Sequence, residues 1–424
     1  MRFVSANFLA LFFLCTCSCV LYVWSRLEDR LGRHKRGLHG PGALFAYGKS
    51  ADLSARTFRA LLAVPAAQKS HRKSNTTDGH NSSNTGGDAN KYHGHAAKMA
   101  PNKQDIVRLT EIIEDGIFWS QTLEDHLPVG FSEEHARTWR HRARGNLVVS
   151  LEPGCGRVSN QLATFSDGSK ACVRYGINAE QIQGETLSYY LANLLGITNI
   201  PPSILSRLNV DGEQWGSVRR RVDGLQWSAG AIVSLTEWVA NLTGVVTPAP
   251  LRQESKGLHP LLTELGNKTL PELLELVQWT DLIIFDYLTA NFDRLVSNLF
   301  SLQWDARVME RDTSNLLRTP SGDLVFIDNE AGLVHGYRVL DMWERYHSTV
   351  LSSVCLFRKG TAKRIAELHR TRDTRMRLLY LYQDREPLAT ELGFLSDDHA
   401  RTLQNRIDTL HKHIQNCKDR YSQL

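Results

Sequence analysis

The chain has 424 residues, 42% of them hydrophobic and 22% charged. These values exclude wholesale disorder, a collagen repeat and a polytopic membrane protein, and leave room for two or three domains or one bilobal domain with appendages. The net charge of +5 is too mild for a nucleic-acid surface, and it is unevenly spread: the first hundred residues carry +9 and the remainder −4.

Phe3 to Trp24 hold no charge over 22 positions, and about 20 such residues cross a bilayer core. Residues 1–24 therefore read as a cytoplasmic tip and signal-anchor helix. A cleaved signal peptide is the rival, but the run is long for that role and no small-residue cleavage site precedes Ser25. Arg26, Arg30, Arg33, Lys35 and Arg36 follow the span and by charge alone would keep the C-terminal side cytoplasmic. Sequons at Asn75, Asn81, Asn241 and Asn267 point instead to the secretory lumen. Cys15, Cys17 and Cys19 sit in the span, which leaves Cys155, Cys172, Cys355 and Cys417 in the folded part. Four cysteines admit three pairings. Cys155 with Cys172 would bracket a short glycine-containing segment, and Cys355 with Cys417 would tie a late segment to the C-terminal helix, so this pairing is preferred over four buried thiols. Residues 25–100 are rich in Gly, Ser, Asn, His and Lys and too poor in large apolar side chains to order themselves, as expected of a disordered lumenal stem. Within it, Arg33-His34-Lys35-Arg36 resembles a furin-type processing site, so a soluble form beginning near Gly37 is expected.

Residues 101–424 are the candidate folded unit, with a β-rich N-lobe over about 101–245 and a mainly helical C-lobe over about 246–424. Asn146 to Leu151 reads as a strand, and Gly154-Cys155-Gly156-Arg157 as a turn before strands at Gln161 to Phe165 and Ala171 to Tyr175. Gly154 and Gly156 would let main-chain N–H groups approach a phosphate, although a plain tight turn is the commoner use of such a pair. A helix from about Glu180 to Leu195 carries Glu185 and spaces Leu187, Leu191, Leu194 and Leu195 along it. Pro201 to Leu208, Gln214 to Val222 and Ile232 to Val239 read as further strands, with Arg219-Arg220-Arg221 at a solvated strand end. Leu270 to Thr289 is apolar on nearly all sides, as expected of a helix buried inside the second lobe.

That helix leads into Asn291-Phe292-Asp293-Arg294-Leu295-Val296-Ser297-Asn298, where an Asp is followed five positions later by an Asn. In phosphoryl transfer a carboxylate orients the substrate hydroxyl while an amide oxygen one short loop later holds a metal beside the phosphates. Further on, Leu324-Val325-Phe326-Ile327 is a buried-strand run ending in Asp328-Asn329-Glu330, where acidic oxygens at a fixed strand end can meet Mg²⁺ or Mn²⁺. The fold expected is α+β: a bilobal, atypical protein-kinase-like unit.

The segments Cys172 to Asn178, Gln183 to Leu191, Asp286 to Arg294 and Ile327 to Gly332 closely resemble the four-jointed family of secretory-pathway kinases, itself similar to the secretory casein kinases. The resemblance spans about Gly116 to Cys417. It implies a type II Golgi membrane protein with a lumenal serine/threonine kinase domain, dependent on ATP and Mn²⁺ or Mg²⁺. The implied substrates are extracellular cadherin repeats of the Fat and Dachsous type, in planar polarity and growth control. Carried over residue by residue, Asp293 matches the catalytic Asp, Asp328 the metal-binding Asp and Glu185 the helix Glu. Asn298 and Glu330 are further metal candidates. Arg174 stands where the relatives have the nucleotide-pairing Lys, and its planar fork differs from a point ammonium; Lys170 is the second choice. The alternatives are a secreted pseudokinase ligand acting by binding only and a Golgi glycosyltransferase, the latter disfavoured because no Asp-x-Asp motif occurs.

Overall fold

The computed structural model describes residues 111–176, 178–252 and 257–421. The expected anchor, stem, processing site and the sequons at Asn75 and Asn81 lie outside the described residues. Among the described residues no helix is long and apolar enough to cross a membrane.

Helix α1 (Glu133–Gly145) starts at Ser132, whose hydroxyl accepts the His135 N–H at 3.2 Å. Glu133 and Glu134 lie at the positive end of its dipole, Arg142 and Arg144 at the negative end. Strands β1 (Val148–Glu152), β2 (Gln161–Phe165) and β3 (Lys170–Arg174) then form an antiparallel meander. Helix α2 (Ala179–Leu195) follows, opened by Asn178, whose side chain accepts the Gln181 N–H, and closed by Gly196 at φ +72°. Strands β4 (Ser203–Arg207) and β5 (Ile232–Glu237) complete a five-stranded antiparallel sheet in the order β1-β2-β3-β5-β4. Ala163, Phe165, Ala171, Val173, Val233 and Leu235 line one of its faces and pack with Trp139 of α1 and Trp215.

The segment Gln214 to Val222, expected as a strand, is helical: short helices Glu213–Gly216 and Arg219–Gly224 cover that core. Trp215, Val218 and Val222 recur at i, i+3 and i+7, so a helix buries all three on one side, whereas a strand would split them between faces. The basic run Arg219 to Arg221 is thus an exposed helical turn and not a strand end.

The second part begins with β6 (Thr243–Val246), which pairs with β7 (Asp312–Arg318) in a three-stranded antiparallel sheet completed by β8 (Leu324–Phe326). Between them runs α3 (Leu270–Thr289), with the bounds the sequence predicts, and then α4 (Leu295–Ser301). A capping box opens α3: the Glu272 carboxylate accepts the Thr269 N–H at 2.8 Å while the Thr269 side chain takes an N–H of the first turn. Twenty residues at about 1.5 Å each make a rod of about 30 Å. Its Leu276, Val277, Trp279, Leu282, Ile284 and Phe285 are buried in the larger of two cores, which α2 also joins through Leu187, Leu191 and Leu195. Helices α5 (Leu340–Ser352), α6 (Lys359–Thr371), α7 (Thr374–Arg385) and α8 (Asp397–Tyr421) complete this part. Both expected disulfides are formed, Cys155–Cys172 with Cα atoms 5.7 Å apart and Cys355–Cys417 at 5.4 Å. The sequon residues Asn241 and Asn267 are exposed.

Candidate active site

Four chain segments bring titratable side chains to one place. Strand β3 alternates, so Ala171 and Val173 enter the sheet core while Cys172 and Arg174 face the other way. Helix α2 supplies Glu185 from its buried interior. Gly184 beside it is required by close approach: a Cβ there would lie 2.6 Å from the Glu330 carbonyl oxygen, so the helix backbone rests directly on the loop after β8. That loop turns sharply because Asp328 adopts the left-handed conformation at φ +56°, ψ +58°, and a single 3-10 turn, Asn329–Ala331, follows. The loop after α3 supplies Asp293.

Arg174 is the hub. Its Nη1 donates to Asp328 Oδ1 at 2.7 Å and to Glu330 Oε2 at 2.8 Å, and its Nε lies 3.8 Å from Glu185 Oε2, too far for a hydrogen bond. Arg157, on the turn before β2, forms an ion pair with Glu330. Burial alone would lower the Arg174 pKa, but Asp328, Glu185 and Glu330 together push it well above the ordinary arginine value. Burial raises the Glu185 carboxyl, with Arg174 opposing. Asp293 accepts a hydrogen bond from Asn315 Nδ2 at 3.0 Å, and burial, reinforced by the Asp328 charge, holds it at about 6.

With all four carboxylates ionised, two guanidinium groups face Glu185, Asp293, Asp328 and Glu330, a surplus of two negative charges. Glu185 Oε2 and Arg174 Nε are buried without hydrogen-bond partners. Hard oxygen donors, surplus negative charge and an unpartnered buried carboxylate oxygen fit a divalent cation.

A second arginine fastens the two acidic loops together. Arg294, fully buried, donates through Nη1 to Asp286 at 2.5 Å, through Nε to the Asn315 carbonyl at 3.1 Å, and through Nη2 to the Ile327 carbonyl at 3.0 Å and to the Asn329 side chain. Burial raises Asp286 to about 7, with Arg294 opposing.

The structure thus brings together Arg174, Glu185, Asp293, Asp328 and Glu330. Gly154 and Gly156 sit on the turn that carries Arg157; Gly156 has φ +79°, and the Cys155–Cys172 disulfide ties that turn to β3 two residues before Arg174. Lys170 is exposed at the far end of β3, about 13 Å along the strand from Arg174, and does not join the cluster. Asn298 is buried in the first turns of α4 with its Nδ2 unpartnered, and no hydrogen bond among the described residues joins its side chain to Asp328. Sequence reasoning gave no role to Arg157, Arg294 or Asn315. Neither Arg294, which follows Asp293 directly in sequence, nor Asn315, at φ +57° inside β7, had a local signal. Two clefts of about 360 and 300 Å³ are lined by none of these residues.

The family described as "Four-jointed box protein middle domain" matches residues 134–420. Four-jointed box protein 1 of Xiphophorus maculatus is 63% identical over 427 residues, covering 100% of both chains. The protein of that name in Homo sapiens is 50% identical over 406 residues, covering 93% of this chain and 89% of its own. A Drosophila melanogaster relative, named extracellular serine/threonine protein kinase four-jointed, is 34% identical over 356 residues, 72% of this chain and 61% of its own. Among solved structures, the Golgi casein kinase superposes with a TM-score of 0.51 at 12% identity over 76% of this chain and 92% of that one. The expected kinase-like architecture, sheet-rich first and helical second, is borne out. With this fold and these relatives, the chain belongs to the four-jointed box protein family, and its enzyme class is that of a serine/threonine protein kinase.

Proposed function

We propose that the chain transfers the γ-phosphate of ATP to serine or threonine hydroxyls of extracellular cadherin repeats of the Fat and Dachsous type. It would act in the Golgi lumen as a type II protein and, after cleavage near Arg36, outside the cell. The observation that carries the reading is the convergence of four carboxylates and two arginines on a kinase-like fold.

In this reading Asp293, oriented by Asn315, accepts the proton of the attacking hydroxyl; a pKa of about 6 leaves it ionised near neutral pH yet basic enough to take the proton. The hydroxyl oxygen bonds to the γ-phosphorus as the bond to the ADP oxygen breaks, and the proton passes to the Asp293 carboxylate. Arg174, braced by Glu185 and Glu330, and Arg157 on the glycine-bearing turn present positive charge to the phosphates. Asp328 and Glu330 would hold Mn²⁺ or Mg²⁺, with Asn298 as the third candidate. When bound, that cation neutralises charge on the phosphate oxygens.

The test is radiolabelled phosphate transfer from ATP to a purified cadherin-repeat fragment, using the full chain. Asp293→Asn and Asp328→Ala should each abolish it. Undiminished transfer by either variant overturns the assignment, and absence of transfer by the unmodified chain favours the binding-only alternative.

A further inference from the structure

Helix α1 carries Arg137, Arg140, His141 and Arg144 at i, i+3, i+4 and i+7, one face of the helix. The end of α7 lies against that face, and Asp384 and Arg385 join these four in lining a cleft of about 300 Å³. Its floor is preset. Arg140, 5% exposed, donates to Glu133 at 2.7 Å and to the Tyr189 hydroxyl at 3.2 Å. Arg144 donates to the Arg385 carbonyl at 2.6 Å and to buried Glu386 at 3.2 Å, and Arg385 pairs with Glu133 and Asp384. The rim is not: Arg137 and His141 are exposed, and neither side chain has a hydrogen bond or ion pair among the described residues.

Arg144 is shared with a second cleft of about 360 Å³, whose other walls include Trp215, Pro387, Leu388, Asn209, Gln214 and one acidic residue, Glu213. Arg207, also on its wall, is already paired with Glu391. The two clefts therefore differ in chemistry and share one arginine: guanidinium groups with the acids that pair them on one side, apolar surface with Asn209, Gln214 and Glu213 on the other.

We propose that these two adjoining clefts, lined by none of the candidate active-site residues, dock an extended peptide segment in which acidic residues are followed by an apolar side chain. The floor arginines are already held by Glu133, Asp384 and Glu386, so the unpaired rim, Arg137 with His141, is what meets the acidic residues, and the planar fork of Arg137 matches a carboxylate in geometry as well as charge. The apolar half decides between ligand classes: a sulfated polysaccharide would need cations along its whole length, and beyond Arg144 the cleft offers it only the paired Arg207. The natural source of such a segment is the protein substrate of the kinase, and in that respect the inference rests on the function proposed above.

The experiment is fluorescence anisotropy on the full chain with a labelled peptide of four acidic residues followed by two leucines. Its amide counterpart of Asn and Gln and a heparin-derived octasaccharide serve as comparison probes. The acidic peptide is expected to bind, the amide peptide about tenfold more weakly, and binding should weaken with salt. The double variant Arg137→Glu/His141→Glu, altered only at the exposed rim, should lose about tenfold in affinity for the acidic peptide with an unchanged melting temperature. Equal binding of both peptides, or full affinity in the double variant, would overturn the proposal, as would binding of the octasaccharide without binding of the acidic peptide. In the kinetic arm the variant should raise KM for a substrate carrying the acidic segment and leave kcat and KM for ATP unchanged. Because the anisotropy needs no phosphate transfer, failure of the docking site and failure of the kinase reading give different results.

Discussion

Arg174 and Arg294 are both buried, both contact the loop around Asp328, and serve opposite ends. Arg294 is 0% exposed, and four of its five N–H groups meet acceptors: one carboxylate, one amide and two carbonyls. Arg174 is 6% exposed, spends one nitrogen on two carboxylates, and leaves its Nε unpartnered beside a third. The first centre is charge-balanced and closed. The second, with its four carboxylates ionised, carries more negative charge than its two arginines offset, the charge that a divalent cation would balance. A buried ion pair can therefore be either a fastener or a half-built binding site, and the balance of donors against acceptors tells which.

The comparison breaks most visibly in activity. Asp328→Ala should lower phosphate transfer about a thousandfold or more while costing only about 1 kcal/mol of stability, the strain of an alanine at φ +56°, since Arg174 keeps Glu330 and Glu185. Asp286→Ala at the other centre strands a fully buried guanidinium and should cost about 3–5 kcal/mol in urea unfolding. Similar stability losses for the two variants would erase the distinction. Removing the Cys155–Cys172 link, which closes a loop of 17 residues, should cost about 3 kcal/mol. It should also raise KM for ATP by freeing the turn that carries Arg157, measurable by initial rates on the Cys155→Ser/Cys172→Ser chain.

The smallest effect concerns pH. In the proposed mechanism Asp293 acts as its carboxylate, so kcat/KM should fall as pH drops through about 6. The Asn315 hydrogen bond favours the charged form, so Asn315→Ala should move that acid limb upward by up to about one unit. A limb that stays in place, or moves down, would separate Asn315 from the function given to Asp293.

How much of this was legible before the fold was known depended on the range of the interaction. Helix α3 was readable in full because its apolar run and its Thr269/Glu272 capping box are both local. The acidic residues Glu185, Asp293, Asp328 and Glu330 were readable because each sits in a short motif whose chemistry is carried by neighbours in sequence. The segment Gln214 to Val222 was misread because Trp and Val suggest a strand while the i, i+3, i+7 spacing of Trp215, Val218 and Val222 decides for a helix. Lys170 and Arg174 share a strand face, and only the position of α2 shows which end of β3 meets the acids. Arg157 depends on a disulfide for its place, and Asn315 on a left-handed residue inside a strand. Neither has a local signature.

The contact at Gly184 has a consequence for timing. Because α2 touches the Asp328 loop backbone to backbone, and eleven of its seventeen residues are buried, the helix cannot swing away without opening the protein interior. The carboxylates it aligns are in place once the chain has folded. Readiness is then set when the chain folds, and what is left to vary is what reaches the site.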